Sequence, residues 1–301
     1  MFWFIFCKTD LLITQQPDGT WSVPAGDKPP VELKAWHTVH NVAPVAGINE
    51  SVKAVLTDHP PTSLLSPNKQ TVSSPNDQTA SSAPHKEGQE RSPYEMCPLR
   101  QSYYKLPYAL YLMAGKCQEI LYWDSNTKFC GVCGAPMKLH TDISKRCTNC
   151  GKEVWPQLAT AVIVLVRRKP EHEGDEERAL LVHARNFRSD FYGLVAGFVE
   201  TGETLEQAVH REVMEETGIT ISNLRYFGSQ PWPYPCGLMV GFRADYAGGT
   251  IHLQREELSR GAWFTKSHLP HIPEKLSIAR QLIDNWLEEP NTPSKDKEKD
   301  L

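Results

Sequence analysis

The chain has 301 residues, enough for two globular units of about 150 residues with room for a small third. It is 40% hydrophobic and 23% charged, so it can build a core, and its formal net charge of −4 argues against a protein made to wrap nucleic acid. Its most apolar stretch at the start falls far short of the roughly 18 residues that a membrane span requires.

That stretch, Met1 to Cys7, runs into Lys8 and Asp10 and has no basic leader or small-residue cleavage site, so no signal peptide is expected. A cytosolic protein is the expectation, its eight cysteines serving as thiols or metal ligands rather than disulfides. One strand is expected from Trp3 to about Thr14, turning at Pro17-Asp18-Gly19 into a second near Trp21. Residues 1–58 read as a β-rich N-terminal domain.

Residues 59–93 break the composition: thirteen of these 35 positions are Ser or Pro and none is aromatic. Such a stretch buries too little apolar surface to offset its chain entropy and is read as a disordered insertion. Residues 94–125 then complete the N-terminal domain with helices. Pro107 is expected in a first turn, and Gly115 between two helices.

From residue 157 to 288, strands are expected at Ala159–Val166 and Ala179–Ala184, joined by a charged hairpin. A helix at Thr204–Thr217 follows, then strands near Leu224–Gly228, Leu238–Ala244 and Ala262–Phe264, and a helix at Ser277–Leu287. The tail from 289 reads as disordered. With no clean βαβ repeat, the fold class is α/β with a mixed sheet between helices.

Within residues 126–156, Cys130-Gly-Val-Cys133 and Cys147-Thr-Asn-Cys150 form two C-x2-C pairs separated by thirteen residues. Four thiolates on two glycine-flanked turns suit one tetrahedral structural Zn²⁺, and a site with four protein ligands has no open position for chemistry. Cys7, Cys97, Cys117 and Cys236 lack partners at ligand spacing and read as packing thiols.

The segment Gly197 to Ile219, GFVETGETLEQAVHREVMEETGI, carries most information. Thr204 and Gln207 form a capping-box start, and Gly218 a helix stop. Glu212, Glu215 and Glu216, at i, i+3 and i+4, share an arc of about 100°. Three carboxylates on one face repel unless a cation joins them, and hard ions with oxygen ligands, Mg²⁺ or Mn²⁺, fit. A solvated acidic helix face is the other reading of the glutamates alone.

The full spacing matches the Nudix box, G-x5-E-x7-R-E-U-x-E-E-x-G-U with U a bulky aliphatic, and this region resembles the Nudix hydrolases. The resemblance implies an α/β/α sandwich that cleaves nucleoside diphosphates linked to another group. It implies Glu212 and Glu216 as metal ligands, Glu215 as a further ligand or the base, and Glu203 paired with Arg211 as a brace. The backbone carbonyl of Ala196 is a further implied metal contact.

Ten residues past the box lies Ser229-Gln-Pro-Trp-Pro-Tyr-Pro-Cys-Gly237, read as a proline-stiffened loop presenting Trp232 and Tyr234 for stacking or packing. After a Nudix box it resembles the SQPWPFPxS signature of the NADH pyrophosphatase family, which also carries a four-cysteine ribbon. Tyr234 stands for the family's Phe and Gly237 for its final Ser. The resemblance assigns substrate binding to Gln230, Pro231, Trp232, Pro233, Tyr234, Pro235, Cys236 and Gly237. It extends to Trp155, Asp142, Ala279 and Arg100, and adds Glu257 as a metal ligand.

The implied activity is metal-dependent hydrolysis of NADH or NAD⁺ to nicotinamide mononucleotide and AMP, extending to RNA with a 5′ NAD cap, by a homodimer that binds no membrane. Two alternatives stay open: a Nudix hydrolase for ADP-ribose or dinucleoside polyphosphates, and a non-enzymatic zinc-ribbon nucleic-acid binder.

Overall fold

The computed structural model describes residues 1–33, 39–60, 92–172, 174–187 and 190–290, and the chain divides into two compact units, Met1–Gln157 and Leu158–Leu301. The expected disordered insertion and tail lie largely outside the described residues. Among the described residues, no helix is long and apolar enough to cross a membrane.

The first unit opens with β1 (Phe2–Cys7), β2 (Asp10–Gln15), β3 (Trp21–Ser22), β4 (Val39–Val42), β5 (Val52–Thr57) and β6 (Tyr94–Pro98). They form a sheet ordered β3-β2-β1-β5-β4, with β6 also on β2 and only β1–β5 parallel. The expected single opening strand is therefore a hairpin. Lys8 takes a φ of 56°, and Phe6 pairs with Leu11 across the turn. Both arms are buried on both faces, so no change of apolar pattern marks the reversal.

Two helices follow, α1 (Leu99–Ser102) and α2 (Tyr108–Asn126), and α2 packs on β1 and β5. Gly115 does not separate helices. It is buried in the middle of α2, and the break falls just before Pro107, the N-cap. A proline lacks the N–H a helix interior needs and disfavours helical backbone in the residue before it.

A small antiparallel sheet closes this unit: β7 (Met137–Thr141), β8 (Ser144–Cys147) and β9 (Glu153–Val154). Lys145 on β8 is buried, its Nζ 2.6 Å from Asp124 Oδ1 and donating to the carbonyls of Asp124 (2.7 Å) and Thr127 (2.9 Å). A cation belongs at that place, because the last carbonyls of α2 have no helical partners.

The second unit contains β10 (Ala159–Arg168), β11 (Arg178–Ala184), β12 (Val195–Phe198), α3 (Leu205–Thr217), β13 (Ile219–Trp232), β14 (Gly237–Gly249), β15 (Leu258–Thr265) and α4 (Ile278–Glu288). Its mixed sheet runs β13-β14-β10-β11-β15, with β12 also on β10 and only β10–β14 parallel. Side chains alternate across it. Val162, Val164, Val166, Leu180 and Val182 pack with Ala208, Val209 and Val213 of α3. Ile163, Leu165, Ala179 and Leu181 pack with Ile278, Leu282, Ile283 and Trp286 of α4. Each such buried aliphatic contributes about 1.5–3 kcal/mol, and burying both faces yields an α/β/α sandwich.

Two sequence expectations need correcting here. The supposed proline loop is largely strand: Ser229–Trp232 extend β13, and only Pro233–Cys236 turn into β14. The tail also starts later, since Glu288 ends α4 and Glu289 forms ion pairs with Arg243 (2.5 Å) and Arg167 (3.4 Å).

Candidate active site

The glutamates are set in place by the ends of α3. Its start is a capping box, with Gln207 N–H donating to Thr204 Oγ1 (3.2 Å) and Thr204 N–H to Gln207 Oε1 (2.8 Å). Its stop is Gly218 in the left-handed conformation. Between them Glu212 and Glu216 are buried, whereas the Glu215 side chain is 53% exposed.

Gly197 of β12 shows how closely this helix lies. A Cβ there would sit 2.0 Å from the Glu212 carboxylate, so the acid rests on bare backbone that only glycine supplies. Glu257 arrives from the loop before β15. That loop is tied to the end of α3 by His252 N–H to the Thr217 carbonyl (2.9 Å) and Gln254 N–H to the Glu216 carbonyl (2.9 Å).

Arg211 gathers the acids. Its Nε and Nη2 clasp both oxygens of Glu203 (2.6 and 3.0 Å), Nη1 donates to Glu212 (2.9 Å) and Glu215 (3.0 Å), and Nη2 also reaches the Phe198 carbonyl (2.9 Å). Hydrogen bonds from Arg211 and from the Glu200 N–H hold Glu203 down at about 2. Glu216 goes the other way, to about 8, because burial and the nearby charges of Glu212, Glu257 and Glu215 all oppose its ionisation. Burial raises Glu212 as well, against the pull of Arg211.

Glu216 Oε2 is buried and has no hydrogen-bond partner. An orphaned carboxylate oxygen among three other acids fits a hard divalent cation, whose charge would satisfy it and relieve the repulsion. Ala196, on β12 beside Gly197, pairs with Ile163. Phe198, which motif reading did not single out as a functional residue, is 65% exposed next to this cluster. Its place directly after the box glycine was the available signal.

On the hairpin, Trp232 and Tyr234 are half-buried and meet edge to face at 5.1 Å. The Cys236 carbonyl accepts the Ala159 N–H (2.9 Å), which fixes the end of the turn to β10. Pro231 and Pro235 are exposed, Pro233 is buried, and Gly237 pairs with Trp232. Gln230 is only 5% exposed, with its amide turned inward. Ala279 lies in the first turn of α4. Cys236, read as a packing thiol, is half-buried, whereas Cys7, Cys97 and Cys117 are buried.

Asp142, in the exposed turn between β7 and β8, Trp155, 53% exposed after β9, and Arg100, exposed on α1, all belong to the first unit. The same unit holds the four cysteines. Their sulfurs lie within 4.8 Å of one another, with Cys130–Cys150 at 3.6 Å and Cys133–Cys147 at 3.5 Å. Tetrahedral zinc with bonds near 2.3 Å needs sulfurs about 3.8 Å apart, so the set fits that ion. Backbone N–H groups lower Cys130, Cys133 and Cys147 below the usual thiol range. The Lys152 N–H lowers Cys150 too, but the three neighbouring sulfurs outweigh it and raise this thiol to about 11.

The sandwich, the box and the acid cluster define a Nudix hydrolase. Residues 157–286 match the NUDIX domain, 125–154 the NADH pyrophosphatase zinc ribbon domain, and 2–123 the NADH pyrophosphatase-like rudimentary NUDIX domain. The NAD-capped RNA hydrolase NudC of Deinococcus radiodurans is 41% identical over 194 residues, which is 64% of this chain and 68% of that one. NudC of Klebsiella pneumoniae strain 342 is 42% identical over 193 residues, covering 64% and 72%. A solved NUDIX hydrolase from Nitrosomonas europaea, 24% identical, covers 54% of this chain and 90% of its own with a TM-score of 0.39. The chain belongs to the zinc-ribbon-containing NADH pyrophosphatase family of Nudix hydrolases.

Proposed function

We propose that this enzyme hydrolyses the pyrophosphate of NADH and NAD⁺, giving the nicotinamide mononucleotide and AMP, and removes NAD caps from RNA, where the same bond is cut. The observation that carries this reading is the acid cluster around the orphaned Glu216 Oε2, in a chain whose hairpin bears Trp232 and Tyr234. The relatives named NAD-capped RNA hydrolase support the substrate.

In this reading Glu212, Glu216, Glu257 and the Ala196 carbonyl hold Mg²⁺ or Mn²⁺. That cation, when bound, neutralises pyrophosphate oxygens and acidifies water. Glu215, exposed and anchored through one oxygen to Arg211, takes the proton as a water oxygen bonds to phosphorus and the bridging P–O bond breaks. Glu203 and Arg211 brace the loop and do not react. The exposed ring of Phe198, with Trp232 and Tyr234, gives the bases or nicotinamide faces on which to stack. Pro231, Pro233, Pro235, Cys236, Gly237 and Ala279 shape the pocket, and the family resemblance assigns substrate binding to Asp142, Trp155 and Arg100 as well. The four cysteines hold one structural Zn²⁺, and the enzyme works as a homodimer.

Initial rates on NADH, NAD⁺, ADP-ribose and NAD-capped RNA, with one preparation and Mg²⁺ or Mn²⁺, test the reading. NADH or NAD-capped RNA should exceed ADP-ribose in kcat/KM. A preference for ADP-ribose would overturn the substrate assignment while leaving the enzyme class intact.

A further inference from the structure

Gln230 sits in the signature segment to which the resemblance assigns substrate contact, yet its side chain is used for something else. Its Nε2 donates to the Leu276 carbonyl (2.8 Å), and its Oε1 accepts the Ile278 N–H (2.7 Å). Those two groups flank Ser277, the N-cap of α4, so one amide spans the start of the helix. The Ile278 N–H is among the first-turn donors that a helix leaves without an internal partner. Gln230 therefore acts as a short strand segment would, pairing with chain on both sides of the cap.

A second feature joins the same two elements. A Cβ on Gly241 would lie 2.8 Å from Ile278 Cδ1, so β14 presents bare backbone to the first turn of α4. Gly241 pairs with Gly228 of β13, so this seat lies beside the strand that carries Gln230. The helix start is thus both hydrogen-bonded and sterically fitted to the hairpin whose tip carries Trp232 and Tyr234.

We infer that Gln230 is a positioning residue: it fixes the first turn of α4, and with it Ala279, against the β13–β14 hairpin, and so sets the shape of the dinucleotide pocket without touching the substrate. The inference rests on the pocket assignment proposed above. It separates the parts by task, because the pocket wall depends on this clamp whereas the acids depend on α3, β12 and the loop that brings Glu257.

The test compares Gln230→Leu, Gln230→Glu and Gly241→Ala with the wild type on NADH. Gln230→Leu leaves the Ile278 N–H unpaired and should raise KM about tenfold, with kcat within about twofold. Gly241→Ala presses on Ile278 and should move KM the same way. Gln230→Glu keeps the acceptor for Ile278 but regains a donor for Leu276 only when protonated. Its KM should therefore approach the wild-type value as pH falls from about 8 to about 6, and this readout survives if Gln230→Leu does not fold.

A KM within about twofold of wild type in folded variants, or a fall in kcat alone, overturns the inference. Absence of NADH turnover in the wild type would instead strike the substrate reading. Calorimetric titration with AMP then decides the clamp: weakening of about fivefold or more in Gln230→Leu supports it, and unchanged affinity overturns it.

Discussion

Two clusters among the described residues suit a metal, and they differ in what their ligands do in the protein alone. The four sulfurs of the ribbon already sit at tetrahedral spacing, and backbone N–H groups lower three of them toward the thiolate a metal needs. The carboxylates of the second unit oppose one another, Glu216 rising to about 8 and keeping one oxygen unpaired. A closed set of soft ligands holds shape; an open, repelling set of hard ligands stores a demand for positive charge that a substrate complex can meet. Mutations should therefore separate the two by consequence, folding on one side and turnover on the other.

The largest effect expected is at the ribbon. Cys147→Ser removes a ligand from a site whose metal contributes directly to folding, so zinc content should fall from about one per chain and the melting temperature should drop with it. Elemental analysis beside a thermal melt checks both, and a folded, zinc-free wild type would break the comparison. Next comes Glu216→Gln, which removes a buried charge that the folded protein already disfavours. Melting temperature should hold or rise, while NADH turnover falls by about a hundredfold or more. A drop in both together would mean that the acid cluster serves folding as the ribbon does.

Trp232→Ala tests specificity between these extremes. Loss of one stacking face costs roughly 1–3 kcal/mol, so kcat/KM on NADH should fall about 5- to 150-fold and turnover of a small generic pyrophosphate much less. The smallest effect concerns a carboxylate with no metal to hold. Burial raises Asp245, but hydrogen bonds from Asn223, Arg167 and Lys169 prevail and bring it to about 2. A lowered pKa stabilises the fold above the unfolded value of 3.8, and that stability is lost as pH falls through about 2. Asp245→Asn should accordingly cost about 2 kcal/mol at neutral pH. The gap to wild type, read by denaturant unfolding, should close between pH 4 and 2.

What the sequence made legible were features with strict local spacing: the two C-x2-C turns, the capping box at Thr204 and Gln207, and the glutamates on one arc of α3. Those depend on neighbours a few residues apart. The Lys8 reversal escaped because both arms of the hairpin are buried alike, and Gly115 misled because α2 is buried around it on most sides. Gln230 hides its inward bonds for a different reason. Its partners, Leu276 and Ile278, lie 46 and 48 positions away, and a polar side chain in a proline-rich signature gives no sign that it faces inward.

Arg211 carries a final consequence for the chemistry. A guanidinium has five N–H donors, and the five bonds from Arg211 to Glu203, Glu212, Glu215 and the Phe198 carbonyl use that whole supply. The side chain is thus a resident counter-ion with nothing left to lend an incoming phosphate. It tempers the acids without competing for the substrate, so the charge that meets the pyrophosphate must be imported rather than drawn from this arginine. Lysine, a point charge with three donors, keeps the sign but not the fork. Arg211→Lys would leave Glu203, Glu212 and Glu215 to share what one planar group now divides among them.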